Sequence, residues 1–129
     1  MVVEKMKKTL ELLTLIGLGG FLGSVLRYIT GTFFESFEAI LLVNIIGSFF
    51  LGFILYEEVH VGVIPERARF ALSVGFFPSL TTFSAFAVGI FSHPEFAFLF
   101  IFSNYILGFF GIYSGRSLAL VLARGFQNE

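Results

Sequence analysis

Cysteine is missing from this 129-residue chain, which excludes both a disulfide framework and a thiolate metal site. Tryptophan is missing too, and with it the side chain best suited to stacking a cationic organic ligand. Charge is scarce: only 13% of residues are Asp, Glu, Lys or Arg, and the basic ones are too few and scattered for a nucleic-acid surface. The net charge of -1 selects no class of partner. His60 has no second His or Cys at ligand spacing, so a metal site there is not expected. No cluster of nucleophile, base and acid falls in the apolar segments, and enzymatic chemistry is not expected either.

What is present is apolar. With 57% hydrophobic residues and a mean hydropathy of +0.93, the chain belongs in a bilayer rather than among ordinary soluble domains. A spanning helix needs about 20 mainly apolar residues. The charges divide the sequence into four such spans, about Leu10–Phe33, Ala39–Tyr56, Ala68–Phe91 and Phe96–Leu122, which predicts one all-α, four-helix transmembrane domain over residues 1–129. The first span is longer than a signal h-region and runs into Gly and Arg, so it reads as retained. Lys5, Lys7 and Lys8 precede it, Arg67 and Arg69 lie in the second loop, Arg116 is near the end of the fourth span and Arg124 is in a tail that reads as frayed. The first loop holds only Glu35 and Glu38, and the third only His93 and Glu95 as titratable groups. By the positive-inside rule both termini and the second loop are cytoplasmic.

The third span carries the stretch that an apolar helix does not need. From Gly75 to Phe86 the chain reads Gly-Phe-Phe-Pro-Ser-Leu-Thr-Thr-Phe-Ser-Ala-Phe, with no charge between Arg69 and Glu95. Pro78 lacks an amide hydrogen and its ring clashes with the carbonyl of residue 74, so the helix is expected to break or kink in this stretch. Backbone freed at membrane depth is tolerated where it is enclosed or lines a cavity. Two readings stand here: a kink repaired by the Ser and Thr hydroxyls, or a midplane break that binds something. Phe83 and Phe86 are three apart and stack on one side of a helix resuming there.

The other spans each offer a polar group on a small-residue face. Gly17, Gly20, Ser24, Arg27 and Gly31 share a face of the first span, beside the Gly19-x-x-x-Gly23 pair; helix packing accounts for the glycines. Arg27 is costly unless it snorkels, pairs or faces water, and reads as an outer-edge snorkeller or an anion-attracting vestibule residue. Asn44 aligns with Gly47, Ser48 and Gly52 in the second span, either as interhelical glue or as a donor to a ligand. Asn104, Gly108, Gly111 and Gly115 form a face of the fourth span, with Tyr105, Phe109 and Tyr113 beside it. The second loop, through His60, Gly62 and Pro65, reads as an ordinary polar connection.

These segments together resemble the small fluoride channels called Fluc or CrcB. The resemblance rests on Gly19-Gly20-Phe21-Leu22-Gly23-Ser24-Val25-Leu26-Arg27-Tyr28, Asn44-Ile45-Ile46-Gly47-Ser48-Phe49-Phe50-Leu51-Gly52, Gly75 to Phe86, and Asn104 with Gly108, in order across all four spans. It implies four helices with a broken third one, assembled as an antiparallel dual-topology dimer around two narrow fluoride pores. By the same resemblance Phe83 and Phe86 present ring edges to fluoride, Asn44 donates its amide hydrogens, Tyr105, Thr82 and Ser84 add polar contacts, and Arg27 sits at the vestibule. It also implies a central structural sodium ion held by the carbonyls of Pro78 and Thr81 from two subunits. Pro78-Ser79 stands where the family generally has Gly-Gly, and Ala85 where a Thr or Ser is common. A chain that inserts in both orientations has nearly balanced loops; this one is biased, so beside a homodimer stands one half of a paired, oppositely oriented heterodimer.

The implied activity is passive export of toxic fluoride across the cell membrane, without catalysis. A proton-coupled exporter of the small four-helix drug-resistance type needs an intramembrane carboxylate, and the only acid inside a span is Glu11, one residue from its end. A purely structural helix bundle leaves the Pro78 stretch without a purpose.

Overall fold

The computed structural model describes residues 1–34 and 36–127, with the side chains of 36, 126 and 127 left aside. Glu35 of the first loop and residues 128–129 of the tail lie outside the described residues. Every regular element among the described residues is helical: α1 (Val2–Phe33), α2 (Ser36–His60), α3 (Glu66–Phe70), a π-helical segment (Ala71–Phe76), α4 (Phe77–Leu80), α5 (Phe83–Ser92), a 3-10 turn (Pro94–Phe96) and α6 (Ala97–Gln127). Four helical stretches, Val2–Phe33, Phe37–His60, Glu66–Ser92 and Pro94–Gly125, are long and apolar enough to cross a membrane.

All four reach beyond the spans read from the sequence, because hydropathy marks the hydrocarbon-spanning part while helical hydrogen bonding continues past it. At the start of α1 the Glu4–Lys8 pair, 3.3 Å apart at i,i+4, supports the polar extension. Arg67 and Arg69 belong to α3 rather than to a loop. The tail that reads as frayed is helical as far as Gln127.

Most large apolar side chains point outward. Phe21, Phe91, Phe98 and Phe109 are exposed, whereas Val43, Ile54, Phe77 and Leu80 form one small buried cluster and Ile40, Phe86 and Phe100 another. Lipid replaces water on the outer face, so the bundle is held by close backbone approach rather than by a hydrophobic core. On α1 the approach is made by Gly19 and Gly23, not by the whole Gly17-to-Gly31 face. A Cβ at Gly19 or Gly23 would strike the carbonyl of Ala71 or Phe76, while Gly17 and Gly31 meet nothing.

Helices α2 and α6 run parallel at a constant offset of sixty residues. Asn44 bonds Asn104, Ser48 faces Gly108, Gly52 packs on Ile112, and Tyr56 lies under Arg116. A Cβ at Gly115 would collide with the Phe49 carbonyl and come within 2.8 Å of the Phe53 amide. Gly115→Ala should therefore push α2 and α6 apart and lower stability by about 1–3 kcal/mol. The check is loss of the monodisperse peak on heating in detergent; an unchanged midpoint would show that the seam has room for a methyl group.

The second loop is not the plain connection that its sequence suggests. Glu57, near the end of α2, is only 3% exposed. Its Oε1 accepts the Val63 and Ile64 amides at 2.5 and 2.9 Å. Arg69 approaches its Oε2 at 3.8 Å, bonds Glu58 at 3.1 Å and donates to the Ile64 carbonyl at 2.9 Å. The loop is thus wrapped around a buried carboxylate, and Gly62, at φ +70, makes the turn that an L side chain resists.

Candidate functional site

The site is organised by the backbone at Thr81 and Thr82. Helical bonding passes through Pro78 rather than stopping there. The preceding segment is π-helical and the Phe77 amide donates to the Leu72 carbonyl, a wider turn that accommodates the proline. Helix α4 ends at Leu80, and Thr81 (φ -72, ψ 153) and Thr82 (φ -146, ψ 121) are extended. Thr82 then caps α5 through its Oγ1, which accepts the Ala85 amide at 3.2 Å. The same hydroxyl lies 3.3 Å from Ser84 Oγ.

Asn44 reads this extended backbone. The Thr82 amide donates to Asn44 Oδ1 at 2.9 Å, which fixes the rotation of the side-chain amide. Asn44 Nδ2 is thereby aimed at Asn104 Oδ1, 2.8 Å away, with a longer 3.4 Å bond to the Thr82 carbonyl. Because Asn104 must accept here, its own Nδ2 points elsewhere, and that atom is buried without a partner. A buried amide donor left unpaired costs about 1–3 kcal/mol. Asn104 is named by the sequence as part of a small-residue face and of the family resemblance, but with no role; its pairing with Asn44 is what the structure adds. The signal was its sixty-residue offset from Asn44, which has meaning only once α2 and α6 are known to be in register.

Asn44, Thr81, Thr82, Phe83, Phe86, Asn104 and Tyr105 line one cavity of about 310 Å³, together with Ser48 and Gly108. Phe83 and Phe86 lie 5.8 Å apart between ring centroids, and the Phe86 ring stands edge-on to Tyr105 at 6.2 Å. The two phenylalanines differ in setting: Phe86 is 7% exposed and packs against Phe100, whereas Phe83 is 75% exposed. Ser84 is exposed and does not line this cavity. Arg27 lies on the other side of Thr82, in a second cavity of about 220 Å³ with Gly31, Val43 and Ala85. Its guanidinium is part-buried and donates to the Thr81 carbonyl at 3.4 Å.

The carbonyls of Pro78 and Thr81 lack their helical hydrogen bonds. Their usual helical partners are engaged elsewhere: the Thr82 amide on Asn44 and the Ala85 amide on the Thr82 hydroxyl. What they accept instead is long, 3.5 Å from Thr81 Oγ1 to Pro78 and 3.4 Å from Arg27 to Thr81. Among the described residues no group of His, Asp or Glu is placed to hold a metal ion.

The cavity around Asn44 is bordered by two side-chain amides, whose donors are engaged by Asn104 and Thr82 or buried, and by phenyl rings whose edges carry positive potential. There is no carboxylate in its lining, and the absence of negative charge suits a small anion. Four apolar helical stretches, three of which line this cavity, define a multi-pass membrane protein. The family described as CrcB-like protein, Camphor Resistance (CrcB), matches residues 14–116, and the chain belongs to it. It is 44% identical over 119 residues to the fluoride-specific ion channel FluC 1 of Haloarcula marismortui, covering 92% of this chain and 94% of that one. It is 40% identical over 117 residues to the fluoride-specific ion channel FluC 2 of Methanosarcina barkeri, covering 90% and 93%. The FluC 2 of Methanosarcina acetivorans is 41% identical over the same length.

Proposed function

We propose that this chain is the subunit of a passive, fluoride-selective channel in the cell membrane. It is a transport protein and not an enzyme. The observation that carries the reading is the Asn44 amide, fixed by the Thr82 backbone at the wall of a cavity shared with Phe83, Phe86 and Tyr105, where fluoride would compete with Asn104 and the Thr82 carbonyl for its hydrogens. The names borne by its relatives agree with it. Fluoride would shed its water against amide hydrogens and ring edges, contacts favourable enough to admit the ion and weak enough to release it. Tyr105 and the Thr82 hydroxyl would add polar contacts, Ser84 only through its contact with that hydroxyl, and Arg27 would sit at the vestibule, in the neighbouring cavity.

The high exposure of Phe83 supports an antiparallel dimer in which a second subunit closes each of two pores. At the centre, carbonyls of Pro78 and Thr81 from both subunits would hold a structural sodium ion. The biased loops favour a heterodimer with an oppositely oriented relative over a homodimer. Reporters fused to both termini decide between these, since equal populations in the two orientations would speak for the homodimer.

Purified protein in liposomes should release fluoride rapidly and chloride negligibly, with flux dependent on sodium. Absence of fluoride release, alone and with a paired subunit, would sink the reading. Phe83→Ile should abolish flux while the dimer still assembles on size exclusion, because an aliphatic side chain keeps the volume but has no positive ring edge. A conducting Phe83→Ile protein would remove this residue from the pore.

A further inference from the structure

Arg116 is the only charged residue between Glu95 and Arg124. An arginine in an apolar span is expensive unless it is paired, snorkels or faces water. Arg116 is half-buried, and among the described residues no carboxylate pairs with it. It is held by aromatic faces instead, 5.0 Å from the Tyr56 ring centre and 5.9 Å from that of Tyr113. The guanidinium carbon lies over a ring rather than beside a carboxylate, and among the described residues no hydrogen bond engages its donors.

Its place in the fold gives those free donors a direction. The seam between α2 and α6 descends in steps of four residues: Asn44 with Asn104, Ser48 with Gly108, Gly52 with Ile112, then Tyr56 with Arg116. Most residues of the upper three rungs, Asn44, Ser48, Asn104, Gly108 and Ile112, line the cavity that holds Phe83 and Phe86. Each step rises about 6 Å along a helix, which puts Arg116 one turn beyond Ile112 on the same stripe, toward the termini and the second loop.

The geometry points to Arg116 as an anion-collecting residue at the cytoplasmic mouth of the passage, a binding position separate from the amide and phenyl groups of the cavity. The assignment rests on the channel reading above. A fixed cation in a low-dielectric mouth raises the local concentration of anions and hence the entry rate. Its effect is largest when fluoride is dilute, the condition under which an exporter of a toxic ion has to work. Stacking on Tyr56 and Tyr113 keeps the guanidinium at the rim and stops it from following an anion inward and plugging the path.

The test compares the parent, Arg116→Gln and Arg116→Lys in liposomes across a range of fluoride concentrations. Arg116→Gln should lower the initial rate about tenfold in dilute fluoride, at the low end of electrostatic focusing, with the deficit closing at saturation. Arg116→Lys should keep most of the rate. Added impermeant salt should slow the parent and leave Arg116→Gln unmoved, because screening removes only what the charge supplied. A loss equal at all fluoride and salt concentrations would make Arg116 a structural anchor and overturn the inference, as would no loss at all. If the parent passes no fluoride, the channel reading fails by itself. Anion binding at Arg116 is then read by phenylglyoxal labelling: fluoride should slow labelling at Arg116 but not at Arg124, and equal labelling with and without fluoride would overturn the site.

Discussion

Asn44→Asp should stop fluoride passage and leave a folded protein in the membrane. Asparagine at this position accepts from the Thr82 amide and donates to Asn104. Aspartate retains the acceptor that holds the Thr82 backbone, so the extended segment keeps its shape. The donors are lost, and a carboxylate faces Asn104 Oδ1, an acceptor that would have to turn over. A carboxylate about 4 Å from a passing anion repels it by ~4 kcal/mol at an effective dielectric near 20. At ~1.4 kcal/mol per decade this suppresses passage by roughly three orders of magnitude, below what liposome efflux detects. The outcome is read as flux together with the size-exclusion profile. Normal flux from a folded Asn44→Asp protein would place the anion path elsewhere. Asn104→Ala should weaken flux less, since Asn44 keeps its bond to Thr82.

Glu57→Ala should be the most destabilising single change outside the cavity. The carboxylate is the acceptor for two loop amides and the counter-charge to Arg69, whose side chain is 14% exposed. Its removal leaves Arg69, which already has an unpaired Nε, with Glu58 alone as counter-charge, and leaves the Val63 and Ile64 amides without an acceptor. Breaking a buried pair from one side costs about 3–5 kcal/mol. Glu57→Gln should lose less, because an amide oxygen still accepts from the loop. The measurement is thermal unfolding in detergent, with fluoride flux at low temperature as the control. A Glu57→Ala protein as stable as the parent would show that the second loop does not depend on this contact.

The two changes differ in how far the sequence announces them. Asn44 is visible as a lone strong polar group in an apolar span, and Thr82, Phe83 and Phe86 are visible as part of a segment that an ordinary helix does not require. Glu57 and Glu58 follow the apolar second span directly, where charges are ordinary, and nothing in that neighbourhood signals that the following loop folds back over Glu57. Asn104 is hidden for a related reason. In an apolar helix several faces carry a small or polar residue, and which one meets a neighbour depends on rotational phase.

The amino-acid sequence by itself determined the class of the molecule: a four-span helical membrane protein with an irregular third span and a polar minority of known identity. Apolar run length, charge position and the missing amide of proline are local properties, and they act wherever the chain goes. Only the tertiary structure decided which of those groups converge. The sixty-residue register of α2 on α6 joins Asn44 to Asn104 and puts Tyr56 under Arg116, and the approach of α1 through Gly19 and Gly23 brings Arg27 to the Thr81 carbonyl. Such pairings follow from how closely backbones fit together, a property of whole helix surfaces that no single stretch of sequence contains.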